Sequence, residues 1–360
     1  MRSTDASRPD NTREGSSLPS RAFRAVGFST RGLRLLDQRA LPGRISYLRP
    51  TTAGQVARAI EVLAVRGAPN IGVAAAYGMA VECRRLPDRR LRSGLRSAAR
   101  TLRKARPTAV NLSWAVDRVE RVLSDQGLAP RELRRAVLRE ARRIETEEVE
   151  RSKAMARAGS RLLVKNATVL TICNTGALAA PGLGTALGVV FQAKLDRKRP
   201  RVYACETRPL LQGARLTMTE LLRAGVDATL IVDSAAASVM PECDIVLVGA
   251  DRVASNGDFA NKVGTRMLAG LARELRKPLY VVAPLSSFDP ECPDGSAIAI
   301  EERDGDEVRF FGRRRTAPRR ARVFNPAFDV TPARFVTGFV TDNGIVRQPF
   351  SQSIRQVLAR

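Results

Sequence analysis

The 360-residue chain contains no histidine. That excludes Ser-His-Asp and Cys-His catalysis and removes the commonest metal ligand. Any acid–base chemistry must fall to Asp, Glu, Cys, Lys or Tyr. Cysteine is scarce: five residues, at 83, 173, 205, 243 and 292, with no Cys-x-x-Cys pair. An odd, scattered set argues against both a disulfide framework and a structural zinc site, so no metal is expected. Aromatic residues make up 5% of the chain, and only seven of its 61 basic residues are lysine. No apolar run approaches the roughly eighteen residues of a membrane span. Residues 1–20 lack the apolar block of a secretory signal. A cytoplasmic protein is expected.

What is present is arginine. The 61 basic against 36 acidic residues give a net charge of +25. Nucleic-acid binding is the obvious reading of such a charge. The arginines are nevertheless interleaved with Glu and Asp along helical stretches, and no nucleic-acid motif accompanies them. A solvated basic surface that steers anionic substrates fits better, with Arg313–Arg315 and Arg319-Arg320 in a loop.

The pattern divides the chain into a disordered tail at 1–22, a mostly helical N-terminal domain at 23–160, a catalytic domain at 161–350 and a tail at 351–360. Thr51 and Thr52 can cap a first helix. Pro69 suits the first position of a second, and Gly67 allows close backbone approach. Thr108 can cap a helix carrying Asn111, Trp114 and Val116, and residues 130–164 read as one charged helix. From Thr168 short apolar strands (Val169–Ile172, Val202–Ala204, Thr229–Val232, Ile245–Val248, Leu279–Ala283) alternate with helices expected to start near Thr175, Pro209, Ser234, Asn261 and Pro332. That alternation predicts an α/β fold whose C-terminal part is a Rossmann-like, doubly wound parallel sheet. Ligands of such sheets bind beyond the carboxyl ends of the strands.

Those strand ends carry Cys173, Cys205 with Glu206, Asp233 with Ser234, and Asp251. Cys173 is either a buried structural thiol or a reactive one held by donors at the next helix start. Asp251 is either a turn-forming Asp or an acid–base group with a raised pKa. Lys262, expected to open a helix, suits a phosphate, as do Arg66 and Arg106 beside Gly or Pro at helix starts. Arg208 and Gln212 fall on the first turns of another helix. The run Gly182-Leu-Gly184-Thr-Ala-Leu-Gly188 matches a dinucleotide fingerprint only loosely, since its glycines lie well past the strand end. No cofactor is expected.

Eight blocks in order, at 66–72, 106–112, 173–179, 206–217, 233–237, 249–258, 261–265 and 325–332, resemble the S-methyl-5-thioribose-1-phosphate isomerase family. The resemblance runs from about residue 25 to 348. It implies catalysis by Cys173 and Asp251, and substrate contacts from Arg66, Gly67, Ala68, Arg106, Gln212, Asn261 and Lys262. It further implies a homodimeric aldose–ketose isomerase of a sugar phosphate, converting 5-methylthioribose 1-phosphate to the ribulose isomer in methionine salvage. The alternatives are an isomerase of ribose 1,5-bisphosphate or 5-deoxyribose 1-phosphate, and a non-catalytic regulatory or scaffold protein like the translation-initiation exchange factor subunits of the same superfamily. Those relatives generally lack the Cys and Asp pair, which this chain keeps. One departure stands out: the family commonly has His before the cysteine, where this chain has Ile172. Losing a possible cation there disfavours thiolate.

Overall fold

The computed structural model describes residues 23–106 and 110–359. The tail expected at 1–22 and the cap expected at Thr108 lie outside these residues. The first lobe opens with a three-stranded antiparallel sheet, Val26–Ser29, Gly32–Leu36 and Tyr47–Leu48. Helix Ala53–Glu61 follows, capped as expected by the Thr52 side chain, which accepts from Gln55 N. Helix Ala68–Arg85 has Pro69 in its first turn and is buried along nearly its whole length. Helices Leu91–Ala105, Val110–Val122 and Pro130–Ser160 pack around it.

The last of these belongs to both halves of the molecule. Its Leu133, Val137, Ala141 and Ile144 join the core of the first lobe. Its Met155 and Ala156 join a core under the second-lobe sheet, together with Val189 and Val190 of helix Ala186–Leu195.

The second lobe is built on a seven-stranded sheet. In spatial order its strands are Gly344–Val346, Gly338–Thr341, Leu279–Val282, Ile245–Val248, Thr168–Thr171, Arg201–Cys205 and Asp227–Ile231. All pairs are parallel except the edge pair Gly338–Thr341 with Gly344–Val346. Its central strands are wholly buried, which is why they read as continuous apolar runs. Strand order reverses between Thr168–Thr171 and Ile245–Val248. A crevice opens at such a switch point, and Cys173 and Asp251 lie just past the ends of those two strands.

A second sheet, unforeseen in the sequence, covers that crevice. It orders Phe288–Asp289, Arg252–Ala254, Phe259–Lys262 and Phe328–Thr331. Asn256-Gly257 turns its central hairpin: Gly257 has φ 90°, and Asp258 N donates to Asn256 Oδ1 at 2.8 Å.

Several expectations need correction. No helix starts near Thr175: the chain loops back so that Thr185 N donates to Thr175 O at 2.7 Å, and the helix begins at Ala186. The helical turn expected at Pro209 begins at Gly213. Asn261 and Lys262 end a strand, and their helix is Thr265–Glu274. Near Pro332 there is a single short turn, Ala333–Phe335. The tail expected at 351–360 is, through Leu358, part of a helix. Helix Phe350–Leu358 buries Phe350, Ile354 and Val357 in the second-lobe core, at the helical spacing that such burial requires. The arginine-rich segment carries the exposed pair of two-residue strands Phe310–Phe311 and Arg314–Arg315 within otherwise irregular chain.

Candidate active site

A cavity of about 420 Å³ lies between the first lobe and the switch point. Eight of the nine expected residues line it: Arg66, Gly67, Ala68, Arg106, Cys173, Gln212, Asp251 and Lys262. Asn261 is absent from the wall. Its buried Nδ2 donates to Thr265 Oγ1 at 2.9 Å, shaping the turn into the next helix.

Each wall has a local cause. Gly67 is the N-cap of helix Ala68–Arg85 with φ 84°, and a Cβ there would stand 2.2 Å from Ala179 O. Only glycine lets the backbone at 66–68 come so close. The N-terminus of an 18-residue helix is thereby presented to the cavity.

Cys173 is 6% exposed and left-handed, with φ 68°. Thr207 and Leu211 share that conformation, at φ 67° and 57°. Such strain in non-glycine residues persists only where the surroundings hold it. Here Cys173 N donates to Thr207 Oγ1 at 2.8 Å, and Thr217 Oγ1 donates to Cys173 O at 2.6 Å. The thiol is thus held by a clamped loop, rather than by the helix start expected from the sequence. Ile172 faces away into the apolar core. The cation beside the thiol comes instead from the other lobe: Arg66 Nη2 lies 3.7 Å from Cys173 Sγ as a donor.

Asp251 is held at the cavity edge by its own N–H, which donates to Ala260 O at 2.9 Å. Burial raises its pKa, with Lys262 and Arg106 acting in opposition. Lys262, buried, has its pKa lowered by burial against the pull of Cys173 and Asp251. Its ammonium donates to Ala327 O at 2.5 Å and sits 4.8 Å from the Phe328 ring centroid.

Positive charge dominates this cavity, and part of it makes no ion pair among the described residues. Arg106 pairs with Glu301 at 3.1 Å, as does Arg303 at 2.9 Å. The donors of Arg66, Arg215 and Lys262 go instead to neutral groups among the described residues. Arg66 Nη1 bonds Asn174 Oδ1 at 2.8 Å, and Arg215 Nη2 bonds Gln38 O at 2.8 Å. Partly buried cations satisfied only by neutral acceptors make an anion site. Apolar side chains share the lining with these cations, among them Val62, Leu63, Ile71, Val110, Leu210 and Leu216.

Gln38, Arg215 and Arg303 line the cavity without having been singled out. Arg215 lay inside the 206–217 block, so its charge was a usable signal; Gln38 and Arg303 carried none. Of the other strand-end groups, Asp233 accepts from the amides of Thr207 and Arg208, both at 2.7 Å, and so supports the clamp from behind. Cys205 lies in the core, its pKa pushed up to about 12 by burial. Gly184 packs on the backbone of Gly176, a role unrelated to a dinucleotide. Among the described residues no group of His, Cys, Asp and Glu could hold a metal, and no helix is long and apolar enough to cross a membrane.

Residues 64–348 match the Initiation factor 2 subunit family. A methylthioribose-1-phosphate isomerase of Carboxydothermus hydrogenoformans is 49% identical over 329 residues, 90% of this chain and 96% of its own length. The crystal structure of 5-methylthioribose 1-phosphate isomerase from Pyrococcus horikoshii superposes with a TM-score of 0.89 at 39% identity, covering 95% of this chain and 97% of that one. A structure described as translation initiation factor eIF-2B subunit delta from A. fulgidus superposes with a TM-score of 0.85 at 40% identity, over 94% and 100% of the two chains. The chain belongs to the methylthioribose-1-phosphate isomerase family, within the wider Initiation factor 2 subunit family.

Proposed function

We propose that the protein converts 5-methylthioribose 1-phosphate to 5-methylthioribulose 1-phosphate, with Cys173 and Asp251 as the reacting groups. One observation carries the reading: a thiol and a carboxyl with a raised pKa share a cavity with three cations whose donors meet only neutral acceptors.

The substrate needs such a site. Its anomeric carbon carries the phosphate, so the ring has no free aldehyde form. In the reaction the bond from C1 to the ring oxygen breaks, the ring oxygen gains a proton, the hydrogen on C2 is delivered to C1, and the C2 hydroxyl gives up its proton. Atoms and electrons balance within the substrate. Asp251, biased toward its acid form, protonates the ring oxygen and recovers a proton from the C2 hydroxyl. Cys173 borders the C1–C2 bond, with Arg66 at its sulfur. The phosphate takes the cation cluster and the helix start at 66–68.

The apolar side chains of the lining support a methylthio substituent over a second phosphate, whose charge they would leave unsolvated. The same proposal includes the cytoplasmic homodimer expected from the resemblance. The likeness to the eIF-2B subunit favours a second reading, a sugar-phosphate-binding regulator without turnover. Assay of the purified protein on 5-methylthioribose 1-phosphate, ribose 1,5-bisphosphate and 5-deoxyribose 1-phosphate separates the readings. Turnover of the first at the highest kcat/KM is expected; tight binding of all three with turnover of none would establish the regulator. Cys173→Ser and Asp251→Asn should each lose about a hundredfold or more in kcat.

A further inference from the structure

Behind the cavity lies a carboxylate that the proposed chemistry does not use. Glu220, on helix Met218–Arg223, is 5% exposed and has no ion-pair partner among the described residues. Asn174 Nδ2 donates to its Oε1 at 2.7 Å, and Leu178 N to its Oε2 at 3.3 Å; the Ala177 amide also points to it. Gly176 gives it room, since a Cβ there would stand 2.4 Å from Oε1.

These donors require a group that only accepts. That requirement fixes the Asn174 amide, with nitrogen toward Glu220 and oxygen toward Arg66. Asn174 Oδ1 and O then accept from Arg66 Nη1 and Nη2 at 2.8 and 3.3 Å, and Nη2 reaches Cys173 Sγ at 3.7 Å. We infer that Glu220 is a positioning residue: by setting the orientation of Asn174 it holds the Arg66 guanidinium against the Cys173 thiol. The inference rests on the reading of Cys173 as the reacting thiol. It extends that reading to a buried side chain outside the cavity.

An amide or a neutral acid in place of the carboxylate presents a donor to Asn174. Asn174 then turns over, offers its own N–H groups to Arg66, and releases the guanidinium from the sulfur. Burial raises the Glu220 pKa to about 7, so the unmodified protein samples this released state in mild acid. The charged group that bears on Glu220 is Arg66; those that bear on Cys173 are Arg66 and Lys262, with Asp251 on the same wall.

The test is the rate of iodoacetamide alkylation at Cys173 across pH, read by peptide mass spectrometry on the full chain. The thiols of Cys83, Cys205 and Cys243 are pushed up to about 12, 12 and 11 by burial, so they react slowly and do not obscure it. At about pH 8, where Glu220 of the parent is mostly ionised, Glu220→Gln and Asn174→Ala should slow alkylation about tenfold, because the guanidinium no longer lies against the sulfur. Glu220→Asp, still acceptor-only, should stay near the parent rate. A folded Glu220→Gln protein that reacts at the parent rate overturns the inference, as does an Asp variant as slow as the Gln variant. Should these variants not fold, the Asp251→Asn protein decides, since it removes the raised carboxyl that lines the cavity and keeps Glu220 behind it. Its alkylation profile should still show the Glu220 step near pH 7, and a profile without that step overturns the inference. Normal turnover by Cys173→Ser alongside a slowed Glu220→Gln thiol would refute the catalytic reading and leave the positioning role intact.

Discussion

At the scale of single residues, the site depends on charges and hydroxyls with few substitutes. Lys262 has a neutral carbonyl partner and a buried ammonium, so its charge is available to an anion. Lys262→Met should raise KM about 10- to 100-fold, the value of a charge-assisted hydrogen bond, with a smaller change in kcat; steady-state kinetics checks it. Thr217→Val removes the donor to Cys173 O and the acceptor of Asn174 Nδ2. Urea unfolding should show a loss of about 1–3 kcal/mol, the cost of leaving buried polar groups unpaired. The chemical residue types were legible in the sequence, because absent histidine leaves thiol, carboxylate and cation to do the work. Gln38 was not legible, since one buried amide between lobes has no local signature. Nor could the sequence show that Arg66, 107 positions away in the chain, meets the Cys173 thiol.

At the scale of elements, helix starts were read from composition, and tertiary contacts overrode several of them. The stretch Ala177-Leu-Ala-Ala180 has high helix propensity. It forms no helix, because Asn70 N and Asn70 Nδ2 bond the carbonyls of Ala179 and Ala177 at 3.2 and 3.0 Å and tie it to the other lobe. The reading of Pro69 succeeded because its cause is local: a fixed φ at the first turn needs no partner. The same junction gives a prediction. Gly67→Ala would force a side chain into the Ala179 backbone from a left-handed residue. Overpacking of this kind should cost about 1–3 kcal/mol, visible in the urea midpoint, with KM rising as the helix start moves.

At the scale of the whole molecule, the parallel sheet was legible because its strands are buried on both faces, whereas the second sheet was not. Its strands are two to four residues long, and Phe328–Thr331 joins from far along the chain. Such pairings leave little trace in a single sequence. The molecule should also carry a pH signature. Glu220 rises from 4.5 to about 7 through burial. Its carboxyl therefore costs nothing in acid, where both folded and unfolded forms are neutral. As pH climbs through that window the unfolded chain ionises first, and stability falls by about 3 kcal/mol in total. Asp329, raised by burial to about 6, acts in the same direction. Comparing urea unfolding of Glu220→Gln with the parent at pH 5 and 8 isolates the effect: the stability lost between the two should be smaller in the variant. Helix Pro130–Ser160 sets a limit of another kind. It ends where composition marks a domain boundary, yet its last turns are a wall of the second lobe, with Gly159 so near Val189 that a Cβ would stand 2.3 Å from its Cγ2. A fragment beginning at residue 161 would expose the apolar flank of helix Ala186–Leu195 to water and aggregate, whereas one beginning near residue 130 would carry its own cover. The boundary visible in composition is thus no place to cut the chain, and a protease should spare it.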